Sequence, residues 1–154
     1  PLSGSNLDYF VEYVGQFVGP MASPDNTFTY PDGFTIKGNP EMLLCIDYYG
    51  SAPSSNTNQY TNLYVNQTYG GSPGGQPFGG CPAEKMVYTE NVGDNWKKPE
   101  CGKLLTYARY QPATGRKGGF GAFFMHRDYI NTGYGCSNYA NMRRGIQIQN
   151  PAIH

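Results

Sequence analysis

Apolar and polar side chains alternate along much of the chain, and this period of two predicts a fold built from β-strands. In residues 104–110 one side of the predicted strand carries Leu104, Thr106, Ala108 and Tyr110. Residues 111–118 are rich in turn formers, and an apolar segment follows at residues 119–125. We therefore expect a hairpin within the stretch from Cys101 to Cys136.

Other segments with the length and composition of strands are residues 28–30 and 34–36, which flank the turn Pro31-Asp32-Gly33, and residues 42–49, 59–67, 84–90 and 143–149. The run at 42–49 is apolar enough for a buried central strand, which would place Cys45 in the core. The pattern predicts a mostly β fold with a minor α component, an antiparallel sandwich or small barrel of about eight strands. We expect one domain over residues 1–154, with its β-rich core at 27–149.

Residues 5–18 carry the helical pattern of the chain. Their apolar positions lie at helical spacing on one face: Leu7, Phe10, Val11, Val14, Phe17 and Val18. Ser5 or Asn6 can cap the start, and Gly19-Pro20 can end the helix. We expect this segment to pack on the sheet as a short helix, although its valines and aromatic residues leave a strand as the alternative.

The four cysteines lie at Cys45, Cys81, Cys101 and Cys136. Their spacing has no C-x-x-C pair and the chain has two histidines, so we expect no metal site and no cofactor. An even number of cysteines predicts two disulfides, and we favour Cys81–Cys101 nested inside Cys45–Cys136. Disulfides imply an extracellular or cell-surface location, or the periplasm. The alternative is four free, buried thiols.

The composition favours a surface that recognises partners through hydrogen bonds and aromatic faces. The chain has 14 tyrosines and 21 glycines, while 14% of its residues are charged. Tyrosine provides a large contact area at low entropic cost, although it also occurs widely in half-buried strands. The triplet Asn66-Gln67-Thr68 is a glycosylation sequon, so Asn66 is a candidate attachment site.

Opposite charges are concentrated in the two halves of the chain. Residues 1–77 contain six acidic residues and one basic residue, whereas residues 78–154 contain ten basic and five acidic residues. The halves can interleave in space, meet head to tail between copies, or present a basic patch to an anionic glycan. The candidate ligand-binding residues are Trp96, Tyr107, Tyr110, Arg116, Lys117, Tyr134 and Tyr139. Nucleic acid is not the expected partner of an extracellular protein, and no apolar run is long enough for membrane insertion.

His126 and Asp128 are the candidate catalytic residues, in the triplet His126-Arg127-Asp128. The residue five positions after Asp128 is Gly133, which does not fit a kinase catalytic loop. Neither G-x-S-x-G nor H-E-x-x-H occurs, and a single histidine at a strand end is usually structural. We therefore do not expect an enzyme.

Taken together, these features predict an extracellular structural or adhesive protein that assembles with its own copies or binds partners through Tyr/Asn-rich loops. The first alternative is a lectin-like module that binds glycans, including acidic glycans, by stacking them on its aromatic side chains. The second alternative is a small secreted hydrolase or nuclease that uses His126 as a general base.

Overall fold

The computed structural model describes residues 4–49, 51–67, 69, 73–91, 103–123 and 138–149. Its helices are α1 (Ser5–Val14), α2 (Lys103–Arg109) and α3 (Asn138–Gln149), with short 3₁₀ turns at Ser55–Thr57 and Ala83–Lys85. Its strands are β1 (Thr27–Thr29), β2 (Thr35–Lys37), β3 (Cys45–Tyr48), β4 (Leu63–Asn66), β5 (Met86–Asn91) and β6 (Gly119–Phe123). Within this part of the chain, no helix is long and apolar enough to cross a membrane.

Four of the strands form one parallel sheet in the order β3-β4-β5-β6. The register pairs Ile46 with Tyr64, Tyr64 with Met86, and Tyr88 with Phe120. The predicted antiparallel sandwich or barrel is therefore wrong. Parallel neighbours need a long crossover between consecutive strands, and the segments that we interpreted as loops or extra strands make these crossovers.

The predicted hairpin around Pro31-Asp32-Gly33 is confirmed. Strands β1 and β2 are antiparallel, with Phe28 opposite Ile36. The Asp32 carboxylate accepts a hydrogen bond from the Phe34 amide, and Gly33 adopts a φ of 87° that favours glycine.

Residues 104–110 are not a strand, because α2 occupies most of this segment. Leu104, Tyr107 and Ala108 are buried, and they lie at positions i, i+3 and i+4 of one helical face. Seven residues fit both periods, so alternation in so short a segment does not separate strand from helix.

The predicted strand at residues 143–149 is also wrong, because α3 covers it. Helix α3 packs closely against α2 at Gly145, where an added Cβ would lie 2.5 Å from the Cβ of Ala108. The missing side chain of Gly145 lets the two backbones approach each other, and this contact stabilises the segment as a helix.

The predicted N-terminal helix is present as α1, and it ends at Val14 rather than at residue 18. Val11 is buried against the sheet, whereas Phe10 is exposed. Gly15 follows the helix and lies so close to Tyr60 that a Cβ would come within 2.8 Å of its side chain.

The parallel sheet has a covered face and an open face. The covered face carries the core residues Ile46, Tyr48, Tyr64, Met86 and Tyr88, which pack with Val11 of α1. The open face carries the exposed residues Cys45, Asp47 and Phe123 and the half-buried residues Leu63, Val65, Val87 and Thr89. Parallel sheets are usually covered on both sides, whereas in the described part of the chain Cys45, Asp47 and Phe123 of this face are exposed.

The predicted disulfide stapling is wrong, because Cys45 and Cys81 are free thiols. Cys45 is exposed on the open face rather than in the core, because alternate residues of a strand point to opposite faces and Ile46 and Tyr48 occupy the covered one. In the described sheet β3 is also an edge strand instead of the predicted central strand. Cys81 is buried, with its sulfur 3.5 Å from the Met86 sulfur. Their predicted partners, Cys136 and Cys101, lie outside the described residues.

Candidate functional site

The carboxyl ends of β3, β4, β5 and β6 meet at one edge of the sheet because the strands are parallel. In parallel α/β folds this edge is where ligands and substrates bind. Five side chains lie on or beside the open face at this edge, and we call them the carboxyl-edge cluster: Asp47, Gln67, Tyr69, Thr89 and Phe123.

Asp47 and Gln67 form the polar pair of the cluster. The Gln67 side-chain amide donates a hydrogen bond to the Asp47 carboxylate, across neighbouring strand ends. The surrounding protein partly desolvates this carboxyl and raises the pKa of Asp47, while the bond from Gln67 acts in the opposite direction. The pair presents a carboxylate and an amide side by side to solvent.

Tyr69 and Phe123 form the aromatic pair of the cluster. Their rings are stacked, with centroids 5.6 Å apart and planes inclined by 13°. The Tyr69 hydroxyl is hydrogen-bonded to Thr89, and burial raises the pKa of Tyr69, helped by the nearby charges of Asp47 and Glu90. The Thr89 hydroxyl in turn donates to the Asn66 carbonyl oxygen at 2.5 Å. This chain of contacts fixes the Tyr69 ring beside the polar pair.

Glu90 lies behind the cluster and links β5 to α2. It is almost fully buried, and its carboxylate accepts a hydrogen bond from the Asn91 amide at 2.7 Å. Burial raises the pKa of Tyr107 to about 12, and the charge of Glu90 adds to this. Glu90 and Tyr107 are therefore close together where α2 faces β5.

The structure describes five of the seven candidate ligand-binding residues predicted from the sequence, and three of these five make contacts within the fold. Tyr107 is buried, and Tyr110 packs edge-on against Tyr88 with ring centroids 5.3 Å apart. The Lys117 ammonium group donates to the Ala108 and Tyr110 carbonyls at 2.6 and 2.5 Å, where it caps the end of α2. Burial lowers the pKa of this Lys117 group.

Arg116 and Tyr139 are exposed. Trp96, Tyr134, His126 and Asp128 lie outside the described residues, so the ligand-binding and catalytic roles suggested for these six side chains stay predictions. In the described part of the chain, no group of three histidine, cysteine, aspartate or glutamate side chains could hold a metal ion.

Asn66, the sequon asparagine, is buried at the end of β4, and its side-chain amide donates to the Gly75 carbonyl at 3.0 Å. A glycan can be attached only if this amide breaks its hydrogen bond to the Gly75 carbonyl. Glycosylation of Asn66 stays a prediction.

Sequence reasoning missed the whole carboxyl-edge cluster. The signal was present, since Asp47, Gln67 and Phe123 each lie within one residue of the end of a segment that becomes a strand. An antiparallel arrangement sends consecutive strand ends to opposite edges, so the predicted topology separated residues that the parallel sheet brings together.

The chain is similar in sequence and in fold to endo-β-N-acetylglucosaminidases. The chain is 29% identical to endo-β-N-acetylglucosaminidase F2 from Elizabethkingia meningoseptica over 139 residues, which cover 82% of this chain and 40% of the relative. The chain therefore spans less than half the length of this relative. No family model matches the chain.

Two solved structures with a similar fold are of an endo-β-N-acetylglucosaminidase from Cordyceps militaris. The apo form has a TM-score of 0.62 at 18% identity, and a double mutant in complex with fucosyl-N-acetylglucosamine-Asn has a TM-score of 0.59 at 17% identity. Each match covers 95% of this chain and 51% of the other. The chain thus shares the fold of about half of that protein.

These comparisons overturn the prediction of a structural or adhesive protein without enzymatic activity, because the similar proteins are enzymes that act on glycans. Of the three functions considered from the sequence, the secreted hydrolase is nearest to them. The predicted glycan partner agrees in class with the ligand of the Cordyceps complex, whereas nothing in the comparisons supports self-assembly.

Proposed function

We propose that this chain provides a glycan-binding part of a glycoside hydrolase that cleaves beside N-acetylglucosamine in N-linked glycans. The observation that carries the proposal is the carboxyl-edge cluster. It lies at the edge where parallel α/β folds bind substrate, and it combines a stacked aromatic pair with a carboxylate and an amide. The similarity to endo-β-N-acetylglucosaminidases in sequence and in fold supports the same substrate class.

The aromatic pair suits the apolar face of a sugar ring. A pyranose has one face of C–H groups, which packs against an aromatic ring, and a rim of hydroxyls, which need hydrogen-bond partners. Phe123 is exposed and Tyr69 is half-buried, so the stacked pair is accessible from the open face. In the proposed complex the sugar packs on this pair.

The polar pair can form hydrogen bonds with the hydroxyl and acetamido groups at the rim of that sugar. The Asp47 carboxylate accepts hydrogen bonds from hydroxyl or acetamido N–H groups, and the Gln67 amide both donates and accepts. Glycosidases with two catalytic carboxyl groups place one on each side of the scissile bond. The described residues of the cluster contain one carboxyl group, so we assign Asp47 to binding and orientation of the sugar.

A titration with N,N′-diacetylchitobiose, followed by amide NMR, tests the proposal. We expect the shifted signals to map to the ends of β3, β4 and β6. Asp47→Asn and Phe123→Ala should each weaken binding about tenfold, which corresponds to about 1.4 kcal/mol of binding free energy. Release of the glycan from a fucosylated glycoasparagine, followed by mass spectrometry, reports cleavage in parallel.

Asp32→Asn is the matched control, because it removes a carboxylate in an exposed turn and keeps an oxygen that can accept from the Phe34 amide. It should leave chitobiose affinity unchanged. Equal losses in Asp32→Asn and Asp47→Asn, or chitobiose shifts that avoid the cluster, would contradict the proposed site. Binding without cleavage would restrict the role of this chain to recognition.

A further inference from the structure

We propose that a cavity between α1 and the crossover from β3 to β4 binds an amino sugar, a pyranose that carries a free, protonated amine. We call it the α1 cavity. Its volume is about 310 Å³, with α1 as one wall and residues 56–60 of the crossover as the other. This volume lies at the small end of the range for ligand pockets, which suits a single sugar ring.

The α1 cavity and the carboxyl-edge cluster lie on opposite sides of the sheet. Val11 of α1 packs on the covered face, and the crossover is fixed to the same face because the Thr57 and Tyr64 hydroxyls are hydrogen-bonded at 2.7 Å. The cluster lies on or beside the open face. A sugar in the α1 cavity is therefore a separate ligand, and its binding does not depend on the proposed function.

Helix α1 makes its wall of the cavity negatively charged. Four of its side chains share one helical face at positions i, i+3, i+4 and i+7: Ser5, Asp8, Tyr9 and Glu12. The carboxylates of Asp8 and Glu12, four residues apart, repel each other, and no described residue that lines the cavity is basic. The charge of this wall therefore favours a cationic ligand over an anionic one.

Asp8 also fixes the crossover wall. Its Oδ2 atom accepts hydrogen bonds from the Ser54 hydroxyl at 2.6 Å and from the Asn56 side-chain amide at 3.3 Å. Its Oδ1 atom is buried and accepts no hydrogen bond within the described part of the chain. A desolvated carboxylate oxygen without a donor is stabilised by a nearby positive charge, even without direct contact.

The remaining lining groups can recognise a sugar ring in addition to its amine. One Asn56 N–H is bound to Asp8, which leaves the side-chain oxygen of Asn56 to accept from a sugar hydroxyl. The exposed Gln59 amide can both donate and accept. Tyr9 and Tyr60 line opposite walls, and their rings supply aromatic surface for the C–H groups of a pyranose and for an ammonium group.

Three ligands that share one ring test the site: glucosamine, N-acetylglucosamine and glucose. In amide NMR titrations at about pH 6, where the free amine is protonated, glucosamine should shift signals of α1 and of residues 56–60. It should bind about threefold to fivefold more tightly there than the two neutral sugars, since it alone carries a charge. Methylamine, which has the charge but no ring, should bind more weakly than glucosamine.

Glu12→Gln tests the charge, because glutamine keeps the shape of the side chain and removes its negative charge. This variant should lose most of the preference for glucosamine over glucose. Glu41→Gln is the matched control, since it makes the same change at an exposed position that does not line the cavity, and it should keep the preference. Tyr9→Ala should weaken the binding of all three sugars about fivefold.

Glucosamine shifts that avoid α1 and residues 56–60 would overturn the site. Equal affinities for the three sugars, or a preference that survives Glu12→Gln, would overturn the role of the charge. Methylamine binding as tight as that of glucosamine would overturn recognition of the ring. Failure of chitobiose to bind at the carboxyl-edge cluster would contradict the proposed function and would leave these outcomes unaffected, because the two sets of signals come from opposite sides of the sheet.

Discussion

Several buried hydroxyl and thiol groups in this fold are held in their neutral forms. Burial raises the pKa of Cys81 to about 11 and that of Tyr88 to about 12, and Tyr107 is shifted to about 12 as well. Desolvation is the main cause for each group, because a charged thiolate or phenolate loses its hydration in the core. Lys85 partly opposes the shift at Cys81 by favouring the thiolate.

These shifts predict alkaline destabilisation. In the unfolded chain the groups ionise near their ordinary pKa values of 9.0 for the thiol and 10.0 for the phenols, whereas in the fold they remain protonated. Their stabilising contribution is therefore complete below pH 9 and is lost as the pH rises through about 12. Urea unfolding at a series of pH values should show a falling free energy of unfolding above pH 9.

Tyr88→Phe is the control for this pH dependence, since it removes one of the titrating groups and keeps the ring that packs on Tyr110. The free energy of unfolding of this variant should fall less steeply between pH 10 and 12. An identical slope in both proteins would show that Tyr88 does not contribute to the alkaline transition.

At the scale of secondary structure, the α2–α3 contact decides whether two ambiguous segments become helices. Their sequences combine polar and apolar residues at spacings that suit either period, and Gly145 lowers the helix propensity of α3. The close approach of Gly145 to Ala108 and to the Leu105 carbonyl stabilises the two helices where local helix propensity is low. Lys117 adds to this by capping the carbonyls at the end of α2.

Gly145→Ala tests this contact through the sign of its effect. In an exposed helix the substitution should stabilise the protein by about 1 kcal/mol, because alanine is the better helix former. Here the new Cβ would lie 2.5 Å from the Cβ of Ala108, so we expect destabilisation of about 1–3 kcal/mol instead. Denaturant unfolding measures the difference.

Gln147→Ala introduces alanine at an exposed position of the same helix and should change stability by less than about 0.5 kcal/mol. If Gly145→Ala stabilises the protein, the two helices do not pack at Gly145 as described.

At the scale of the whole molecule, the two faces of the parallel sheet differ. The covered face carries the core, with Val11 packed against it, while Val65 on the open face is half-buried. The open face ends at the carboxyl-edge cluster, so the same surface that lacks cover in the described part of the chain also carries the candidate site.

The same substitution on each side of the sheet measures this difference. Val11→Thr places a hydroxyl in the core and should cost about 1–3 kcal/mol. Val65→Thr places it on the half-buried open face and should cost less than about 1 kcal/mol, since water can reach the new hydroxyl. Equal costs in denaturant unfolding would mean that the open face is covered in solution.

The sequence alone determined the local structure wherever a strong signal lay within a few residues. The hairpin at Pro31-Asp32-Gly33 follows from its turn, and α1 follows from an apolar face with helical spacing. The segments that became β3, β4, β5 and β6 were also predicted as strands, because short apolar runs bounded by turn formers are typical of strands.

Only the tertiary structure decided how those strands are arranged. Parallel and antiparallel neighbours use the same residues, and the choice depends on whether the crossovers pack on the sheet, which is a property of distant segments. It also decided that residues 103–109 and 138–149 are helices, through the contact at Gly145.

The candidate site therefore could not be predicted from the sequence alone. Asp47, Gln67 and Phe123 lie at the ends of three different strands, and they share a surface because the strands run in the same direction. The residue types were visible in the sequence, but their proximity was not, since it depends on the parallel pairing of strands that lie far apart along the chain.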